Sequence, residues 1–395
     1  MSVLKSVTAN AAELSTDSRT GAVPLVVGRP NIGNRERFLE RVEDILDRRW
    51  LSNGGRYVQE FERRIADFLG VGHCVAMCNA TVGLEITIRA LGLRGEVIVP
   101  SFTFVATAHA LKWQEITPVF CDVDPTTHNI DPSQVEKLIT PRTTGILAVH
   151  LWGRACDIET LQTIARNRGL RLMYDASHAF GCTHRGKLIG GFGHAEVFSF
   201  HATKFINTLE GGVVTTNDSS LADKIRQMKN FGFTGYDQVD HLGINGKMDE
   251  ISAAMGLTNL EAMDEFIAAN RRNYEAYREE LRGLPALELL SYDDREQHNY
   301  QYIVVAVDEE KARVSRDDIV GRLHDHDIIA RRYFYPGCHR LEPYRSEHPS
   351  AGLVLPETEK LAARLISLPT GSTVGRVDIN RVCEVIRTVL TSAAR

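Results

Sequence analysis

The sequence lacks the features that identify several common classes of protein. It has no excess of basic residues, since 46 Lys and Arg stand against 51 Asp and Glu. The formal net charge of -5 argues against a general nucleic-acid-binding surface. No apolar run approaches the ~20 residues that cross a bilayer, and the N-terminus does not resemble a secretion signal. We therefore expect neither nucleic acid nor a membrane as a partner.

Signatures of metal and disulfide sites are also missing. The seven cysteines include no CxxC pair, and the 14 histidines include no HExxH motif. Cys74 and Cys78 lie closest together, but no second pair or histidine cluster completes a zinc site. We expect no metal, reduced thiols and a cytoplasmic location.

Apolar patterns divide the 395 residues into three parts. Residues 1–22 are rich in Ser, Thr and Ala and predict a flexible N-terminal extension. Residues 23–265 alternate amphipathic helices with short apolar strands, which is typical of a mostly parallel sheet covered on both faces. Residues 266–395 predict a smaller C-terminal α/β domain.

Two helix predictions are specific enough to test against a structure. Residues 36–50 predict an amphipathic helix, and its expected apolar face consists of Phe38, Val42, Ile45 and Leu46. Residues 248–285 predict one long helical stretch that ends at Gly283 and Pro285.

Polar residues that follow the strands of such a sheet mark its ligand-binding edge. The strand at 75–77 passes through Asn79, Ala80 and Thr81 into a helix. The free amides of a helix start bind phosphate, although an ordinary asparagine cap explains the same residues. The junction matches neither GxGxxG nor GxxxxGK[ST], so NAD and ATP are not supported.

A second strand, in "RLMYDASHAFG", ends in Asp175, and His178 follows three residues later. A carboxylate there either caps the next turn or meets a cation, such as a protonated pyridine nitrogen. A metal site would need further ligands, and none stands at suitable spacing.

One lysine, Lys204, stands in the otherwise apolar and uncharged start of "SFHATKFINTLEGG". A desolvated lysine has a lowered pKa and attacks carbonyl groups. Phosphate junction, aspartate and lysine therefore occur in the order that suits pyridoxal 5′-phosphate, whose phosphate, ring nitrogen and aldehyde need these three groups.

Five stretches together resemble the DegT-type (DegT/DnrJ/StrS) sugar-nucleotide aminotransferases: "SFHATKFINTLEGG", "YDASHAFG", "PSFTFVAT", "CDVDPTTHNIDP" and "INGKMDEISAAMG". The similarity runs from about residue 24 to the C-terminus. It implies an α/β fold of the fold-type I, aspartate aminotransferase-like class of pyridoxal phosphate enzymes. The implied architecture is a seven-stranded, mainly parallel sheet, a smaller C-terminal domain and a homodimer with shared active sites.

The resemblance also implies roles for single residues. Lys204 would bind the cofactor aldehyde and shuttle a proton, and Asp175 would pair with the ring nitrogen. Phe104 matches an aromatic residue that stacks on the ring, although core packing explains it equally well, and His178 stands where many relatives have glutamine. The implied phosphate contacts are Ala80, Thr81, Ser199 and, from the other subunit, Asn245. The implied substrate contacts are Lys247, Arg332, Tyr333 and His339.

The function implied is transfer of the amino group of L-glutamate to the 4-keto group of a TDP-4-keto-6-deoxy-D-glucose-type sugar. The product would be a 4-amino-4,6-dideoxy sugar for bacterial antibiotic glycosides. Three alternatives stay open: a 3-keto nucleotide-sugar aminotransferase, a pyridoxal phosphate-dependent dehydration, and a non-catalytic regulatory protein on the same scaffold. We identify no residue in the sequence that selects C4 over C3.

Overall fold

The computed structural model describes residues 23–393. The predicted N-terminal extension, residues 1–22, lies outside the described residues. The strands are β1 Leu25–Val26, β2 His73–Met77, β3 Glu96–Pro100, β4 Thr117–Cys121, β5 Thr143–Val149, β6 Arg171–Asp175, β7 Thr183–His184, β8 Lys187–Leu188, β9 Ala195–Ser199, β10 Gly212–Thr216, β11 Leu287–Leu289, β12 Ile303–Val307, β13 Ile328–Ile329 and β14 Leu365–Leu368.

Helices connect and cover these strands. The α-helices span Arg35–Arg48, Arg56–Leu69, Ala80–Ala90, Val105–Lys112, Pro132–Leu138, Ile158–Arg168, Ser219–Met228, Glu250–Glu261, Met263–Glu280, Glu309–Ala312, Arg316–Asp325, Tyr344–Glu347, Pro356–Arg364 and Arg376–Ala393. None of the helices in residues 23–393 combines the length and the apolar character needed to span a bilayer.

A seven-stranded sheet forms the centre of the molecule, in the order β2-β10-β9-β6-β5-β3-β4. Strand β10 runs antiparallel to both of its neighbours, and the other paired strands run parallel. The central strands are apolar and buried because helices cover both faces of the sheet. The expected mainly parallel, seven-stranded sheet is confirmed.

The C-terminal part forms a second, smaller core around the antiparallel sheet β11-β12-β14. Strand β1 pairs with β13 in this part of the molecule, and Leu25 packs into the same core. The start of the predicted large domain, residues 23–265, therefore contributes a strand to the small domain. A single boundary at residue 265 therefore does not separate the two domains completely, because β1 pairs with a strand of the small domain.

The prediction of one long helix over residues 248–285 is wrong. The chain forms two helices, Glu250–Glu261 and Met263–Glu280, separated at Ala262 with φ -106° and ψ 10°. The first packs on the two N-terminal helices, and the second packs on the C-terminal helix. The two therefore lie against different cores, which requires a change of direction between them.

The first helix forms as expected, but its buried face is rotated. Ile45 is buried and Phe38 packs on the core, whereas Leu46 is 55% exposed. Arg41 is buried instead, because its Nη1 donates to Thr258 Oγ1 at 2.6 Å and its Nη2 pairs with Glu261. The buried side of this helix thus includes an ion pair with the neighbouring helix.

Candidate active site

The predicted catalytic residues follow neighbouring parallel strands. Asp175 is the last residue of β6, and Lys204 follows the end of β9 at Ser199. Because β6 and β9 pair in parallel, their carboxyl ends meet at one edge of the sheet. The topology therefore brings the two residues to a common site.

Lys204 is half-buried, and its ammonium lies in a poorly solvated position. Burial lowers its pKa to about 8, and the nearby charge of Asp175 acts in the opposite direction. Its Nζ donates a hydrogen bond to the hydroxyl of Tyr302 at 3.3 Å. An amine with this pKa is available in its neutral, nucleophilic form at a mildly alkaline pH.

Asp175 is buried, and two local donors fix its carboxylate. Thr107 Oγ1 donates to Oδ2 at 2.8 Å, and the backbone N–H of Ser177 donates to Oδ1 at 3.1 Å. The turn-capping role is therefore real. No basic side chain within residues 23–393 forms an ion pair with this carboxylate, which leaves its charge free for a cationic ligand.

An aromatic layer surrounds His178. The His178 ring lies 4.5 Å from the Tyr302 ring and stacks on Phe334 at 5.8 Å, measured between ring centroids. The backbone N–H of Trp152 donates to His178 Nδ1 at 3.3 Å. Burial and the charge of Lys204 lower the pKa of His178 well below its usual value. His178 is therefore neutral, with its proton on Nε2.

Sequence reasoning missed the rest of this layer. Trp152 stands out in the "HLWG" stretch and Phe334 in "RRYFYPGCH", but no local signal joins them to Asp175. Tyr302 lies 98 positions from Lys204 and directly precedes strand β12 of the small domain. Only the packing of one domain on the other brings these rings together.

The predicted phosphate junction has the geometry of a capped helix with free amides. Asn79 accepts a hydrogen bond from the N–H of Val82 at 2.9 Å, so the ordinary cap is present. The N–H groups of Ala80 and Thr81 have no acceptor among the described residues. A Cβ on Gly212 would lie 2.7 Å from the Ala80 nitrogen, so the neighbouring strand approaches this helix start closely.

These groups fit pyridoxal 5′-phosphate. Free helix amides suit its phosphate, the uncompensated Asp175 carboxylate suits a protonated ring nitrogen, and the Lys204 amine suits its aldehyde. Phe104 is 56% exposed, and its ring lies 6.5 Å from that of Phe334. Its partial exposure agrees better with contact to a ligand than with core packing.

Two proposed contacts lie on the loop that follows residue 228. Asn245 is exposed, and its backbone pairs with that of Asn230. Lys247 donates to Asn230 Oδ1 at 3.0 Å, and its ammonium lies 4.5 Å from the centre of the Phe231 ring. Neither side chain contacts Lys204 or Asp175 within the chain.

Two further proposed contacts directly precede Phe334 in the chain. Arg332 is exposed and pairs with Asp317 at 3.1 Å. Tyr333 stacks on the Phe334 ring at 5.1 Å. The structure thus places Tyr333 against the aromatic layer around His178, whereas Arg332 contacts Asp317 and lies over the ring of Tyr335.

Among the predicted substrate contacts, His339 is the one that the chain itself encloses. It is buried, with Nδ1 2.7 Å from Ser101 Oγ and Nε2 2.6 Å from Glu359 Oε1. Both ring nitrogens are therefore occupied inside the chain. These contacts tie the 333–340 segment to the end of β3, and a contact with substrate would require at least one of them to break.

The site agrees with the comparisons with known proteins. Residues 33–387 match the model of the DegT/DnrJ/EryC1/StrS aminotransferase family. The chain is 36% identical to the dTDP-4-amino-4,6-dideoxy-D-glucose transaminase of Shigella dysenteriae over 313 residues, 79% of this chain and 85% of that protein. It is 35% identical to the GDP-perosamine synthase of Caulobacter vibrioides over 374 residues, 92% of this chain and 98% of that protein.

Solved structures show the same similarity. DesI, solved in the presence of its TDP-sugar product, superposes with a TM-score of 0.89 at 50% identity and covers 93% of both chains. The aminotransferase PseC of Helicobacter pylori superposes with a TM-score of 0.87 at 27% identity and covers 93% of this chain and 100% of that chain. The resemblance drawn from the sequence motifs is confirmed.

Proposed function

Because the chain belongs to the DegT/DnrJ/EryC1/StrS aminotransferase family, we propose that it aminates C4 of a TDP-4-keto-6-deoxy-D-glucose-type sugar with L-glutamate as donor. The name of the Shigella relative and the TDP-sugar product of DesI support this substrate. The GDP-perosamine synthase relative is less similar than DesI, which favours TDP over GDP. We assign the 4-amino-4,6-dideoxy product to the glycosylation of bacterial antibiotics.

One observation carries the proposal: the Lys204 amine of lowered pKa stands beside the buried Asp175 carboxylate at neighbouring strand ends. Pyridoxal 5′-phosphate supplies an aldehyde for the amino group and an electron-poor ring that stores the electron pair left when a proton departs. We assign Asp175 to its ring nitrogen. Its phosphate contacts would be Ala80, Thr81, Ser199 and the Asn245 of a second subunit.

The chain's own residues then move and hold protons. The neutral Lys204 amine takes the proton from the substrate carbon and returns it one step later. The Tyr302 hydroxyl, 3.3 Å from Nζ, limits where that amine can reach. Thr107 and Ser177 fix the Asp175 carboxylate, so that it holds a proton on the ring nitrogen.

The aromatic layer would keep water from the reacting atoms. Phe104 and His178 are our candidates for contact with the ring, and Lys247, Arg332 and Tyr333 for contact with the nucleotide sugar. His339 requires a change in its bonds to Ser101 or Glu359 before it can join them.

We also propose a homodimer with shared active sites, located in the cytoplasm. Apolar side chains next to Asn245 are exposed in the single chain, including Tyr236 at 97% and Leu242 at 71%. Such a patch is typical of a surface that a partner covers. All seven cysteines are free thiols, which is consistent with a reducing compartment.

The experiment is product analysis. The cofactor-loaded enzyme is incubated with L-glutamate and a panel of 3-keto and 4-keto sugars, each linked to TDP or GDP. We expect an amine at C4 of the TDP-4-keto-6-deoxyglucose and an equal amount of 2-oxoglutarate. An amine at C3, or a dehydrated product that forms without glutamate, would replace the proposal by the corresponding alternative.

Two lysine variants complete this experiment. Lys204→Ala should lower turnover by at least about 10²–10⁴-fold, the usual contribution of a catalytic acid–base group, with an unchanged circular dichroism spectrum. The matched control is Lys187→Ala, because Lys187 is exposed and outside the site. Wild-type protein that binds no cofactor and aminates no sugar would favour the regulatory alternative.

A further inference from the structure

A cavity of about 200 Å³ lies between the two domains. The large domain contributes Thr126, His128 and Arg154 to its walls, and the small domain contributes Leu290 and Arg364. It has no lining residue in common with the groups assigned to cofactor or substrate.

The cavity nevertheless adjoins the aromatic layer of the active site. Trp152 Nε1 donates to Nδ1 of His128 at 3.2 Å. The other side of the same tryptophan faces the active site, since its ring stacks on His178 at 6.0 Å and on Phe334 at 5.3 Å. One residue therefore separates the two sites.

Two guanidinium groups at this cavity have no carboxylate partner within residues 23–393. The side chain of Arg154 donates only to the carbonyl oxygen of Thr126, at 3.1 Å. The Nε of Arg364 is buried and has no acceptor. By contrast, Arg316 and Arg340 of the same domain are each bonded to a carboxylate. A buried donor without an acceptor costs stability, so the site is incomplete as the chain alone forms it.

Arg154 and Arg364 bring two cations to the cavity, and the carboxylates of Asp124 and Asp308 lie near enough to interact with them without forming an ion pair. Burial lowers the pKa of the Arg154 guanidinium. Burial also lowers the pKa of His128 to about 4; the charges of Arg154 and Arg364 add to this shift, and the carboxylate of Asp124 opposes it. His128 is therefore neutral, and because Nδ1 accepts from Trp152, its proton stands on Nε2 as a further donor. Glu288 is the single carboxylate among the lining residues, and it is exposed and pairs with neither arginine.

We propose that this interdomain cavity binds a small oxyanion, a phosphate or a carboxylate group, between Arg154 and Arg364. Guanidinium groups bind both kinds of group through paired, charge-assisted hydrogen bonds. The bound anion accepts hydrogen bonds from the unpaired donors. It thereby links the two domains beside His128, which accepts a hydrogen bond from Trp152. Its source is either free inorganic phosphate or a small dicarboxylate.

The test is a binding measurement on the cofactor-loaded protein, independent of its substrate. Inorganic phosphate and succinate are titrated separately by isothermal calorimetry into the wild type and Arg364→Gln. We expect Arg364→Gln to weaken binding about tenfold or more, the effect of one charge-assisted hydrogen bond. The anion should also raise the melting temperature of the wild type more than that of the variant. Tighter binding of phosphate identifies that source, and tighter binding of succinate identifies the dicarboxylate.

Two further variants keep the test decisive. Arg63→Gln is the matched control, because Arg63 is exposed and paired with Asp67, and it should bind the anion as the wild type does. If Arg364→Gln does not fold, Arg154→Gln provides the same comparison. Equal affinity of the wild type and the cavity variant, or binding of neither anion, would overturn the proposal.

Discussion

Lys204 shows how its surroundings set the chemistry of one residue. Burial favours its neutral form because an ammonium ion loses hydration there, whereas the Asp175 carboxylate favours the charged form. The two effects leave its pKa at about 8, below the ordinary lysine value of 10.5. The Lys204 amine therefore becomes neutral, and so nucleophilic, at a pH near 8.

This balance predicts a pH dependence. In cofactor-free protein, the rate at which pyridoxal 5′-phosphate is captured covalently should rise with pH and reach its midpoint near 8, because only the neutral amine attacks. Stopped-flow absorbance over a series of pH values measures it. Asp175→Asn should move the midpoint to lower pH, because the lost carboxylate is the group that raises this pKa. A midpoint near 10.5 in the wild type would contradict the burial of Lys204.

Single residues also show what the sequence can predict of the site. Lys204, Asp175 and the junction at Asn79 each follow an apolar strand, and parallel strands bring their carboxyl ends to one edge. The contacts of Tyr302 and Phe334 could not be predicted this way. Both belong to the small domain, and their place depends on how that domain packs on the sheet.

At the scale of elements, strand β10 and the helix Ala80–Ala90 approach each other unusually closely. A Cβ on Gly212 would lie 2.7 Å from the nitrogen and 2.9 Å from the Cα of Ala80, and 2.8 Å from the carbonyl oxygen of Phe198. These are backbone atoms of a helix and a strand, so moving them away would cost free energy. Only glycine lets the strand lie against the proposed phosphate junction.

Gly212→Ala should therefore lower both stability and cofactor affinity. We expect a loss of about 1–3 kcal/mol in the free energy of unfolding, typical of overpacking, and a higher Kd for pyridoxal 5′-phosphate. Urea denaturation and absorbance titration measure the two. Gly321→Ala is the control, because Gly321 lies in the helix Arg316–Asp325 with open space around it. It should gain roughly 0.5–1 kcal/mol and leave cofactor affinity unchanged. Wild-type behaviour of Gly212→Ala would refute the tight approach.

Secondary-structure elements also show where sequence patterns fail to predict the structure. Apolar strands bounded by polar residues are recognised well, and all seven strands of the central sheet occur in apolar stretches. The break at Ala262 is not recognised, because helical residues continue on both sides of it. Its cause is tertiary: the two helices belong to different cores. The burial of Arg41 is equally tertiary, since its partner Thr258 lies 217 positions away.

On the scale of the whole molecule, the two domains are joined at several places. Strand β1 pairs with β13, Tyr302 of the small domain bonds to Lys204, and His339 bonds to Ser101 at the end of β3. Tyr302 therefore reaches Lys204 only when the small domain is in place. In the single chain, Asn245 lies on an exposed loop beside the exposed apolar side chain of Leu242.

The exposed apolar loop around Leu242 and Asn245 predicts that the chain forms a dimer. The wild type should sediment as a dimer of the 44.1 kDa chain. Leu242→Asp should shift it toward monomer, because a charge placed in a covered apolar surface loses its hydration. The same variant should retain cofactor less well, because Asn245 would no longer reach the partner's phosphate site. Val377→Asp is the control, since Val377 is 83% exposed on the C-terminal helix and should leave the dimer intact. Sedimentation equilibrium at several concentrations decides between these outcomes. A monomeric wild type, or a Leu242→Asp variant that dimerises as tightly as the wild type, would show that another surface forms the assembly.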